Sequence, residues 1–121
     1  MTNSTTAYRF IGLEDWRLVD QSIGTVPYAD VDKKDGYFHM STAQQAHTTA
    51  SKHFNGVPLI KLLQIDLNTL DQSKLHWETV NTRNNELFPH YYDNINIFQH
   101  VKQIYDIQVD DQGNHIFPDN M

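Results

Sequence analysis

The run Pro58-Leu59-Ile60-Lys61-Leu62-Leu63-Gln64-Ile65-Asp66 constrains the fold more than any other part of the chain. It is the most apolar stretch, it follows the helix-stopping pair Asn55-Gly56, and it runs into the turn-forming segment Leu67–Ser73. A short, nearly continuous apolar run bounded by turn signals reads as a strand buried on both faces, and such a strand sits inside a sheet. It needs neighbours. Residues 7–11, Tyr37–Met40, Lys74–Val80, Glu86–Tyr92 and Val101–Val109 supply them, and Asp110-Asp111-Gln112-Gly113 before Asn114–Phe117 suits a terminal hairpin.

Helical spacing is confined to the N-terminal half. Leu13–Ser22 places Leu13 and Trp16 on one stripe. Ser41-Thr42-Ala43-Gln44 has the Ser-x-x-Gln form of a capping box and opens a helix to about Phe54, with Ala43, Ala46, Ala50 and Phe54 on one face. Between them, Gly24–Val31 reads as loop and Asp32–Gly36 as a charged turn. Two early helices followed mostly by strands predict an α+β fold with an antiparallel-rich sheet. A length of 121 residues suits one domain over residues 7–118, preceded by a disordered or extended tail over residues 1–6.

Composition narrows the function classes. A net charge of −6 with scattered basic residues argues against nucleic acid as a partner. No apolar run reaches the roughly 18 to 20 residues of a membrane span, and the polar start does not read as a signal peptide. The chain has no cysteine, which excludes disulfides and thiolate chemistry and fits the cytoplasm. Seven histidines raise the question of a metal, but no two have the spacing that aims two imidazoles at one ion from a helix or a strand, so no metal is expected. Ser41 lacks the Gly-x-Ser-x-Gly elbow of a serine hydrolase, and no glycine-rich phosphate loop occurs.

The informative arrangement is Asp35-Gly36-Tyr37-Phe38-His39-Met40-Ser41-Thr42, a strand that passes directly into a capped helix. Free N–H groups at a helix start attract anions, Ser41 and Thr42 add hydroxyls, and His39 suits a sugar hydroxyl or a proton transfer. The same residues equally suit a plain helix cap and an interior histidine.

This segment, together with Leu62–Asp66, Leu75-His76-Trp77-Glu78 and Glu86-Leu87-Phe88-Pro89-His90-Tyr91-Tyr92, resembles the small bacterial family called domain of unknown function 952. The resemblance extends from about residue 7 to residue 109. It implies an ADP-ribosyltransferase-like fold, a split, mixed sheet around a cleft for a nicotinamide dinucleotide. It also implies three stations, matched here by Arg9 after Tyr8, by Phe38–Thr42 and by Glu86 after Asn84-Asn85. Histidine is commoner in the family where this chain has Arg9, which leaves open how the first station meets a ligand.

On that resemblance NAD is the expected substrate and no metal is required. Glu86 would stabilise the oxocarbenium-like centre formed on loss of nicotinamide, with His39 as its catalytic companion. Arg9, Ser41 and Thr42 would hold phosphate or ribose oxygens, and Tyr37, His90 and Tyr91 would line the rings. ADP-ribose would pass to water or to an acceptor. Two alternatives stay open: a non-catalytic binder of a nucleotide or ADP-ribose-like ligand, and a protein interaction module whose partner the sequence does not identify. Arg9 and Glu86 each also suit an ordinary ion pair, and His90 suits packing.

Overall fold

The computed structural model describes residues 5–19, 23–119 and 121. Its elements are β1 (Thr6–Gly12), α1 (Leu13–Trp16), α2 (Asp30–Asp35), β2 (Phe38–His39), α3 (Ala43–His53), β3 (Leu59–Asp66), β4 (Leu75–Val80), β5 (Glu86–Tyr91), α4 (Ile97–His100) and β6 (Val101–Gln108). The strands form two three-stranded sheets, ordered β1-β3-β6 and β2-β5-β4. The apolar run is central, as its composition demands.

Alternation along β3 explains how the layers stack. Leu63 and Ile65 enter a core with Ala7, Ile11, Phe38, Met40 and Tyr91, which joins the first sheet to the second. Ile60 and Leu62 enter another with Tyr8, Phe10, Ile107 and the α3 residues Ala46 and Ala50. The first sheet therefore has the second sheet on one face and α3 on the other.

Among the described residues one backbone bridge links the two sheets. Tyr8 N–H donates to Ser41 C=O at 2.7 Å and Ser41 N–H donates to Tyr8 C=O at 2.9 Å. Met40 N–H donates to the carbonyl of Pro89 at 3.2 Å, and proline, which has no N–H of its own, stands where β2 leaves β5 for β1. The sheet is split at this point. Every strand pairing among the described residues is antiparallel, so the parallel component of a mixed sheet is not among them. The cause is that α3 carries the chain from the second sheet to the first rather than between neighbours of one sheet, so no parallel β-α-β unit forms.

Four local expectations need correction. The helix expected over Leu13–Ser22 is α1 alone, because i to i+3 bonds from Leu18 to Asp15 and from Val19 to Trp16 tighten the chain and turn Val19 into the core; residues 20–22 lie outside the described residues. The charged turn Asp32–Gly36 is largely helix α2, whose buried residue is an aspartate rather than a hydrophobe. It closes on Gly36 at φ 86°, a left-handed conformation that favours glycine. The capping box sits one residue later than expected. Thr42 Oγ1 accepts from Gln45 N–H at 3.2 Å and Gln45 Oε1 accepts from Thr42 N–H at 3.0 Å, since the Ser41 backbone is already committed to Tyr8. The terminal hairpin reduces to a bridge between Val109 and His115.

Candidate functional site

Beyond the Tyr8–Ser41 bridge, β1 and β2 diverge, and Arg9 spans the fork. Its guanidinium donates to His39 C=O at 2.9 Å and to both oxygens of the fully buried Asp32, at 2.9 and 2.5 Å, while lying 4.2 Å from the Phe38 ring centre. Asp32 accepts further bonds from Ala29 N–H (2.8 Å) and His39 N–H (3.1 Å), and its Oδ1 lies 2.7 Å from His39 Nδ1. Burial alone would raise this carboxyl, but the bonds from His39 and Arg9 and the guanidinium charge hold it well below the usual carboxylate range. The other nitrogen of His39, Nε2, lies 2.9 Å from Asp35 at the end of α2.

His90 is the register partner of His39 across β2 and β5. Their ring centres are 5.5 Å apart. His90 Nδ1 lies 2.8 Å from Glu78 Oε1, and Tyr92 O–H donates to the same carboxylate at 2.7 Å. Burial pushes His90 below its ordinary value against the opposing pull of Glu78. The hydrogen bond to Glu78, with burial, pushes Tyr92 up to about 12. Tyr37 stacks on His90 with ring centres 4.0 Å apart and leans on His39 at 4.5 Å. Two histidines thus share one tyrosine and have one carboxylate each on Nδ1.

A half-open cleft of about 840 Å³ occupies the fork. Arg9, His39, Ser41 and His90 line it, as do the acids Glu14, Asp15 and Asp35. Thr49, Lys52, His53 and Arg83 also line it, beside the apolar side chains of Phe10, Phe54, Val57, Val80 and Phe88. Ser41 Oγ lies 2.9 Å from Thr49 Oγ1, which accepts from Arg83 Nη1 at 3.2 Å. The Arg83 guanidinium rests 4.7 Å from the Phe88 ring centre. Burial, then the charges of Arg83 and Lys52, push His53 below its ordinary value. Serine, threonine and arginine therefore make one continuous hydrogen-bonded rank.

The sequence-selected residues divide accordingly. Arg9, His39, Ser41 and His90 meet in the cleft, and Tyr37 packs behind the two histidines. Thr42 caps α3 and does not line the cleft. Tyr91 is buried in the core, where its hydroxyl accepts from Asp71 N–H at 3.1 Å. Glu86 is exposed at the start of β5, outside the cleft. Asp32, Glu78, Thr49 and Arg83 join the site through hydrogen bonds that no sequence motif marks. Asp32 lay inside an apparent charged turn, and Thr49 and Arg83 are far apart in sequence with no motif to link them.

The sequence profile of the family described as "Protein of unknown function (DUF952)" matches residues 11–104. The chain belongs to this family. Among solved structures, the crystal structure of protein CC0527 from Caulobacter crescentus is similar, with 28% identity, a TM-score of 0.81, and coverage of 93% of this chain and 94% of that one. The solution structure of CC0527 covers 98% of this chain and 97% of that one at 28% identity and a TM-score of 0.80. A double mutant of CC0527 gives 26% identity and a TM-score of 0.80, with coverage of 93% and 94%. No functionally curated protein matches the chain. For this DUF952 domain the neighbours extend the fold over nearly the whole chain and name no activity.

Proposed function

We propose that this domain binds a small phosphorylated ligand of nucleotide type in the fork between its two sheets. The observation that carries the reading is the rank Ser41, Thr49 and Arg83 lining the same cleft as His39 and His90. A guanidinium with two neighbouring hydroxyls is a donor set suited to phosphate oxygens. Lys52 adds positive charge on the lining in a chain whose net charge is −6. Phe10, Phe54, Val57 and Val80 offer an apolar surface to a flat ring. The volume of about 840 Å³ lies within the range of roughly 300 to 1,000 Å³ usual for ligand sites.

The ADP-ribosyltransferase-like resemblance supports a second reading, in which NAD enters the same cleft and loses nicotinamide. Asp35, Glu14 and Asp15 line the cleft and are the carboxylates within reach of that chemistry. Glu86, the acid suggested by sequence order, does not line it. Calorimetric titration with AMP, ADP-ribose and NAD, with nicotinamide assayed in the same samples, separates the two. Binding of AMP and ADP-ribose without nicotinamide release supports the first reading. Release of nicotinamide, lost in Asp35→Asn, supports the second, and silence towards all three compounds at millimolar concentration contradicts both.

A further inference from the structure

We propose that His39 and His90 form an acid–base pair that hydrolyses a phosphodiester held by Arg83, Thr49 and Ser41. The inference rests on the phosphate-binding reading of the cleft and adds turnover to it. His39 has a carboxylate oxygen on each ring nitrogen, Asp32 at 2.7 Å from Nδ1 and Asp35 at 2.9 Å from Nε2. Only the imidazolium form donates from both nitrogens. His90 has a carboxylate on Nδ1 alone, and its Nε2 has no hydrogen-bond partner among the described residues, yet it is not a sealed, unsatisfied atom. His90 lines the cleft, so Nε2 is the nitrogen left to accept a proton there.

Two imidazoles 5.5 Å apart between ring centres, one with a carboxylate on each ring nitrogen and the other with a nitrogen left towards the cleft, are the pairing that general acid–base catalysis needs. Ser41 stands two residues beyond His39, on the same side of the extended segment, which puts the Ser41–Thr49–Arg83 rank next to the pair. In the reaction His90 Nε2 takes a proton from water as the water oxygen forms the new P–O bond. The P–O bond to the leaving alkoxide breaks with its electron pair, and His39 passes its Nε2 proton to that oxygen. The leaving oxygen replaces Asp35 as the partner of His39. The products are a phosphomonoester and an alcohol, and solvent returns the proton from His90 to His39.

The test uses thymidylyl-3′,5′-thymidine, a phosphodiester whose alkoxide leaving group needs a proton, with thymidine release followed by chromatography and AMP binding measured alongside by calorimetry. The wild type is expected to release thymidine, and His90→Gln and His39→Gln are each expected to lower kcat by about 100-fold or more, with AMP affinity within about threefold of wild type. His90 is buried, so if His90→Gln does not fold, the partly exposed His39→Gln decides the matter. AMP binding without thymidine release overturns the acid–base pair and leaves the binding reading intact. Loss of both overturns both. Unchanged turnover in folded His39→Gln also overturns the pair.

Discussion

Asp32 ties Arg9 on β1 to Ala29, which caps its own helix α2, and to His39 on β2. Removing one partner of a buried ion pair leaves the other charge unsatisfied, at a cost of about 3 to 5 kcal/mol. Asp32→Ala should lose about that much stability in urea unfolding, and a loss under about 1 kcal/mol would contradict the role given to it. The pH dependence follows from the same residues. Folded His90 is pushed down by burial, so the unfolded chain binds that proton first and stability falls as pH drops below about 6.5. His53 and His100 are also lowered by burial and act in the same direction. Asp32, depressed in the folded state, adds a second loss below about pH 4. Urea midpoints measured from pH 8 to pH 3 should fall throughout the acid range, and a rise between pH 7 and pH 5 would contradict this sign. At this scale the sequence was partly legible: His39 stands out in its motif, whereas nothing in Asp-Val-Asp-Lys-Lys-Asp shows which aspartate is buried.

At the level of elements, neighbouring residues have different jobs. Thr42 caps α3 while Ser41 bridges the sheets and faces Thr49. Thr42→Ala should cost about 1 kcal/mol of stability and leave ligand affinity unchanged. Ser41→Ala keeps the backbone bridge, so it should weaken AMP binding by about threefold to tenfold with little change in unfolding. Equal effects of the two substitutions on affinity would undo the distinction. Gly36→Ala places a side chain at φ 86° and should destabilise the protein by about 1 to 2 kcal/mol, read from its urea midpoint. The strands were legible because their periodicity and apolar content reflect burial directly. Helix α2 was not, because its contribution to the interior is a carboxylate, which an apolar stripe cannot reveal.

Across the whole molecule, one strand feeds two cores and one backbone bridge joins two sheets. Leu63→Ala removes a fully buried side chain from the core between the sheets and should cost about 2 to 5 kcal/mol in urea unfolding. The antiparallel α+β class could be read from strand and helix order. The cleft could not, since its lining comes from β1, β2, β5, α1, α2, α3 and the β4–β5 turn, and only folding brings Ser41, Thr49 and Arg83 into line. The central claim is that the fork binds a phosphorylated nucleotide-type ligand, and titration of AMP into isotope-labelled protein, followed by heteronuclear NMR, tests it most directly. The account predicts saturable shifts at His39, Ser41, Thr49 and Arg83 with little change at Phe98 and Ile116. No shifts at millimolar AMP, or shifts that avoid those four residues, would contradict it.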